Sequence, residues 1–411
     1  MSTPTIGTGI PKAATGGPRK NSGWWGSYDW ILIASALSLS VLGSVLVWSA
    51  TRPRLVAAGI DPQYYFKKHL LNLIIGLFLG FVASRIPFRT MRAWSWYLYL
   101  LSLFTLVVVI SPLGSNVNGH SAWISLPAGF ALQPAEFTKL ALILVVANVL
   151  ATKRDGETEP GMRQLVQVLV LVLVALGLIM LQPDVGTTVM ICFSLLAMIA
   201  VSGIKARWIV LLVVAGVFGA VGAAQTGLLA KYQVDRFVAF ANPSVDPLGV
   251  GYNTQQARTA IGAGRVFGAG LFQGNQTNGG FVPEQKTDFI FTVAGEELGF
   301  VGCTGIVVLL GLVLWRIIRI GGRSPDLYGR IVAAGVAGWF TFQAFENIGM
   351  NLGIMPVTGV PLPFVSYGGS SMFATWIAIG VLMAIYRARP AIQLPSGRPS
   401  AQSSVSAYSG S

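Results

Sequence analysis

The segment Val282-Pro283-Glu284-Gln285-Lys286-Thr287-Asp288-Phe289-Ile290-Phe291 places two carboxylates and an ammonium directly before an apolar run. Glu284 and Asp288 are four residues apart, a spacing that brings side chains together on a helical turn. A carboxylate at a lipid–water boundary loses part of its hydration, which raises its pKa and its basicity. That suits a general base taking a proton from a hydroxyl. The competing task for Asp288 is a helix N-cap, with Thr287 as a rival cap. Lys231, Arg236, Arg258 and Lys286 add cations on the same stretch of chain. They suit either a departing diphosphate or an anionic lipid surface. Both readings stand on spacing alone.

Five further ionisable residues, Glu136, Lys139, Glu296, Glu297 and Glu346, fall inside apolar runs. Each is expensive in lipid unless paired or facing a cavity. Glu136 and Lys139 are three apart and share a helix face, so they can neutralise each other. The alternative is that Lys139 meets an anionic head group. Glu296 and Glu297 are adjacent and point to different faces. Glu346 is a lone acid followed by Asn347. Walker, HExxH and GxSxG motifs are absent, and His69 and His120 are isolated. ATP-driven transport and zinc or serine hydrolysis therefore have no support. Cys192 and Cys303 lie in apolar runs with no metal or disulfide spacing.

The elements that must carry these groups follow from composition. Of 411 residues, 53% are hydrophobic and only 10% are charged, well under the roughly 25% typical of soluble domains. The formal charge of +13 would suggest nucleic acid if the cations formed a patch. They punctuate the gaps between apolar runs instead, so no nucleic-acid partner is expected. Apolar runs at about 30–50, 69–85, 95–112, 134–152, 163–182, 186–202, 207–225, 290–319, 330–351 and 369–387 predict an all-α polytopic membrane protein of about ten spans. Pro183 divides the fifth from the sixth. Residues 1–28 and 391–411 read as disordered tails rich in Gly, Pro, Ser and Thr. Residues 29–390 form the membrane domain, and no removable signal peptide is expected.

Eighteen of the 28 lysines and arginines fall in the tails and even-numbered loops, nine in two long odd-numbered loops, and Lys139 within a span. That density places both termini in the cytoplasm and residues 226–289 outside, as one large loop between spans seven and eight. Structureless loops of that length are most often functional. This one contains a possible surface helix over Gly251–Gly262 and a glycine-dense stretch, Gly262-Ala-Gly264-Arg-Val-Phe-Gly268-Ala-Gly270.

Several motifs, in order along the chain, resemble the SEDS family (shape, elongation, division and sporulation proteins). They include Asn118-Gly-His-Ser-Ala-Trp-Ile124, Gln133-Pro-Ala-Glu136-Phe-Thr-Lys139, Gln182-Pro-Asp184-Val-Gly186, Asp235-Arg236 and Gly251-Tyr-Asn253. Pro283-Glu284-Gln-Lys-Thr-Asp288-Phe-Ile-Phe291, Gly295-Glu-Glu-Leu-Gly299 and Pro361-Leu-Pro-Phe-Val-Ser366-Tyr-Gly-Gly-Ser370 complete the set. The resemblance implies a ten-span peptidoglycan glycosyltransferase of the cytoplasmic membrane that polymerises lipid II on the outer face. It also implies a class B penicillin-binding protein, a single-span transpeptidase, as partner. It puts the catalytic aspartate at Asp288, as general base or as ligand of a divalent cation (Mg2+ or Mn2+). Glu284 then supports it, and Lys286, Arg236 and Arg258 steady the diphosphate. Thr358, where the division (FtsW-like) branch often has lysine, and the Asp235–Arg236 pair favour the elongation (RodA-like) branch. Two rival readings are a division-branch polymerase and a lipid II flippase drawing on Glu136, Lys139 and Glu346. The flippase lacks the internal symmetry common among transporters.

Overall fold

The computed structural model describes residues 28–388, apart from 113, 118–119, 127–129, 153–159, 227–235, 237, 239 and 241–249. The tails and the Lys231 and Asp235 positions lie outside the described residues. Ten long helices are present among them: α1 (Trp30–Ala57), α2 (Tyr64–Arg85), α3 (Phe88–Ile110), α4 (Pro134–Ala151), α5 (Met162–Met180), α6 (Val185–Ser202) and α7 (Ala206–Gln225), then α10 (Ile290–Gly322), α11 (Leu327–Leu352) and α12 (Gly369–Arg387). Two shorter helices, α8 (Val250–Ala263) and α9 (Asn275–Gly279), lie between α7 and α10. α8 covers the segment where the sequence suggests a surface helix. Nine of the long helices are apolar enough to cross a membrane by length and composition. The tenth, α11, falls short because Gln343, Glu346, Asn347 and Asn351 all lie buried along it. The polytopic helical architecture is as expected.

Local chemistry sets the helix ends. Asp29 accepts from the Leu32 amide at the start of α1, and Asp184 accepts from the Thr187 amide and hydroxyl at the start of α6. Such caps satisfy amides that the first turn leaves unpaired. Pro134 opens α4 at a position where its missing N–H is harmless. Gly203 and Gly353 end α6 and α11 in the left-handed conformation. α2 and α12 cross in backbone contact, since a β-carbon on Gly380 would lie 2.1 Å from the Gly80 carbonyl oxygen.

The all-α expectation omits a three-stranded antiparallel sheet, β1 (Ser115–Val117), β2 (His120–Leu126) and β3 (Phe130–Leu132), between α3 and α4. Val117 pairs with His120 across Asn118-Gly119, a dipeptide that is a strong hairpin signal.

α10 is not one continuous helix. Gly299 has φ +66° and ψ −164°, and the helix breaks there. The glycine-dense loop fills the break. The Phe300 and Val301 amides donate to the carbonyls of Arg265 and Val266, and the Ala269 and Gly270 amides donate to those of Glu296 and Glu297, at 2.9–3.1 Å. Only glycine permits this approach, because a β-carbon on Gly264 would lie 1.9 Å from the Gly295 oxygen. Residues 300–322 alone extend about 34 Å at 1.5 Å per residue, enough to cross a hydrocarbon core of about 30 Å. Glu296 and Glu297 therefore sit on a buried half-helix before the break. They face different ways, as adjacent helical residues must. Glu296 accepts from the Gln276 and Thr277 amides and the Thr277 hydroxyl, and Glu297 accepts from the Ser49 hydroxyl. Glu296 thus anchors the loop that precedes the candidate site, and Glu297 ties the half-helix to α1.

Candidate active site at Asp288

Asp288 precedes α10 without capping it. Phe289 occupies the cap position and makes no side-chain cap bond, so the N-cap reading of Asp288 and of Thr287 is not realised. The Asp288 carbonyl oxygen is held by two buried amides of α11, Asn347 Nδ2 at 2.8 Å and Asn351 Nδ2 at 3.1 Å. The same Asn347 nitrogen donates to the Val360 carbonyl at 2.7 Å, and Gln343 Nε2 donates to the Pro361 carbonyl at 2.8 Å. Residues 343, 347 and 351 are spaced by four, so one stripe of α11 fastens both the Asp288 segment and the 360–361 loop. From the other flank, the Ser366 hydroxyl donates to the Thr287 carbonyl at 2.6 Å and the Tyr367 amide to the Lys286 carbonyl at 2.8 Å. Glu346 Oε1 accepts from Thr358 at 2.9 Å, which steadies the turn at Gly359. That glycine has φ +79°, and a β-carbon on it would lie 3.4 Å from Asp288 Oδ2. Loop backbone thus lies against the carboxylate.

Electrostatics follow from this enclosure. Burial pushes the Asp288 carboxyl up to about 6, the Glu284 charge pushes the same way, and Arg236 and a hydrogen bond with Thr287 oppose both. Desolvation and a like charge each disfavour the ionised form. Asp288 keeps part of its surface open to solvent, as a group that must meet a substrate requires. Glu284 is exposed and holds φ +48°, a conformation that costs about 1–3 kcal/mol and concentrates at functional positions. The Lys286 ammonium rests 4.6 Å from the Tyr65 ring centroid, within cation–π range. The structure thus brings together Asp288, Glu284 and Arg236, with Lys286 beside them.

Two other expected site residues are placed elsewhere. Arg258 donates to the carbonyls of Leu352 and Gly353 at 2.9 and 2.8 Å, so it caps α11 instead of pointing at a diphosphate. Lys139 pairs with Glu136 at 2.8 Å, their side chains 2% and 3% exposed, with its ammonium 4.6 Å from the Trp339 centroid. Trp339 is two turns below Glu346 on α11, about 11 Å along the axis. Lys139 is therefore deep in the bundle and separate from the Asp288 cluster. The sequence reading missed Gln343 and Asn351 and gave Asn347 no role. Amides recurring at i, i+4 and i+8 on an otherwise apolar helix are the signal that marks them.

An Asn347→Leu substitution leaves the Asp288 and Val360 carbonyls short of a donor, and one buried unsatisfied group costs about 1–3 kcal/mol. The expected result is a folded protein with a lower melting temperature and slower turnover. An unchanged turnover number would separate the Asn347 bonds from the site.

The family profile described as cell cycle protein, named for FtsW, RodA and SpoVE, matches residues 29–390. The chain belongs to the SEDS family of peptidoglycan glycosyltransferases. It is 39% identical to stage V sporulation protein E of Bacillus subtilis over 88% of this chain and 97% of that one. It is 38% identical to the probable peptidoglycan glycosyltransferase FtsW of Coxiella burnetii over 87% and 96%. Among solved structures, rod shape determining protein RodA of Thermus thermophilus aligns with a TM-score of 0.65 at 29% identity, covering 88% and 97%. A chain from a peptidoglycan synthase complex that coordinates polymerization and crosslinking aligns at 0.72 and 30%, covering 88% and 98%. This SEDS protein is thus a multi-pass membrane enzyme.

Proposed function

We propose that this SEDS enzyme polymerises lipid II into glycan strands on the outer face of the cytoplasmic membrane, with both termini inside. The observation that carries this reading is Asp288, raised to about 6 on a segment fastened by four hydrogen bonds from α11 and from residues 366–367. In the reaction, Asp288 takes the proton of the acceptor sugar's 4-hydroxyl. The freed oxygen attacks the donor's anomeric carbon from the face opposite the leaving group. The carbon–oxygen bond to undecaprenyl pyrophosphate breaks and the configuration inverts. Arg236 and Lys286 neutralise charge developing on the diphosphate. Glu284 and Asp288 suit a divalent cation bound jointly with substrate phosphates, the usual arrangement for Mg2+. Such an ion would supply further charge neutralisation at the leaving group.

The synthase-complex neighbour supports a class B penicillin-binding protein as partner. The elongation role rests on Thr358 and Asp235–Arg236. The 39% identical sporulation protein and the 38% identical FtsW support a division or sporulation role, against 29% for RodA. Depletion separates them, giving rounded cells for elongation and filaments for division. The enzymatic reading is tested with purified protein, lipid II and the transpeptidase partner. Glycan polymer is the expected product. Transbilayer movement of lipid II without polymer would favour the flippase.

A further inference from the structure

A cleft of about 190 Å³ opens between α1, α2 and α12, lined by Trp30, Ile33, Leu77, Phe81, Trp376 and Met383 among others. It lies far from the reaction. Tyr65, near the start of α2, contacts Lys286, and Arg85 ends the same helix about 30 Å further along. α12 likewise runs from Gly369, beside the outer loops, to Arg387. The cleft therefore opens at the membrane face opposite Asp288. Inward it is closed by Trp376 and by the backbone contact of Gly80 with Gly380.

Its mouth is cationic. The half-buried Arg387 donates from Nη1 to the Ser84 carbonyl at 3.1 Å, and its guanidinium lies 5.8 Å from the Tyr28 ring centroid. Its Nε is buried with no hydrogen-bond partner among the described residues, a donor that ordinarily demands an acceptor. Arg85 is exposed and stacks 5.5 Å from the Phe81 centroid on the cleft wall. Both guanidiniums act on the Tyr28 hydroxyl. The acid next in sequence, Asp29, is already bound to Arg316. An apolar slot ending in a phenol and two guanidiniums that pair with no carboxylate among the described residues matches a fatty chain that ends in a phosphate. A zwitterionic head group would bring its ammonium against those same cations.

We propose that this cleft is a binding site for an anionic glycerophospholipid, with one acyl chain along the α1, α2 and α12 walls and the phosphate between Arg85 and Arg387. The occupant is a lipid of the leaflet opposite the active site, so it is a resident component and not the reacting substrate. Binding fixes the entry of the chain into α1 through Tyr28.

The test uses the full-length protein reconstituted in vesicles holding equal amounts of phosphatidylglycerol and phosphatidylcholine. The protein is extracted in mild detergent, and its retained lipid is measured by native mass spectrometry. The wild type is expected to keep phosphatidylglycerol with a preference of about tenfold. Arg85→Gln with Arg387→Gln should abolish the preference. Ile33→Trp, which fills the slot from a partly exposed position, should reduce retention itself while the melting temperature stays near wild type. Retention that ignores the head group overturns the proposal, as does a preference that survives loss of both arginines. Replacement of phosphatidylglycerol by equimolar undecaprenyl phosphate would overturn it in favour of an isoprenoid site.

Discussion

Asp288→Asn is expected to fold, insert and bind its transpeptidase partner, yet to polymerise lipid II about 10²–10⁴ times more slowly, the usual contribution of a general base. The amide keeps the size of the carboxylate. The backbone carbonyl through which Asn347 and Asn351 hold the segment is untouched, so position is preserved and basicity is lost. The pH profile carries a second check. A general base works only when deprotonated, and this carboxyl titrates at about 6. The rate should therefore fall as the pH drops through about 6 and level off above it. Glu284→Gln removes the like charge that helps raise Asp288, so its acid limb should move to lower pH with a smaller loss of rate. Near-normal polymerisation by well-folded Asp288→Asn protein would remove this residue from the chemistry.

Breaking the pair in the bundle interior is expected to give the largest loss of stability. Glu136 and Lys139 are joined at 2.8 Å and almost wholly enclosed. Removing one partner of a buried pair typically costs roughly 3–5 kcal/mol, because the other charge stays behind unpaired. Glu136→Gln and Lys139→Met should each lower the melting temperature, and the double substitution should recover part of the loss. The Lys139 ammonium would still face the Trp339 ring in Glu136→Gln, which makes that variant the milder single. Full stability in both singles together with weakened lipid II binding would make the pair a ligand site.

Much of this protein is local in its chemistry and hence legible in the chain. Apolar runs of membrane length, Pro183 between α5 and α6, and Asp184 ahead of Val185 mark helices and their ends without reference to any partner segment. The Glu284–Asp288 pair declares itself by residue type and by its place at the head of an apolar run. The Glu136–Lys139 pair follows from a spacing of three on one helix. What the sequence could not specify depends on contacts between residues far apart in the chain. Whether Asp288 caps a helix or offers its carboxylate turns on Asn347 and Asn351, some sixty residues away. The break at Gly299 looks like continuous helix until the glycine loop of residues 264–270 is placed inside it. Arg258 and Arg236 read alike as outer cations, yet one caps α11 and the other acts on Asp288. Helix periodicity and capping are written into neighbouring residues. The aim and pKa of a carboxylate depend on whichever distant groups replace its water, and only the tertiary structure decides which those are.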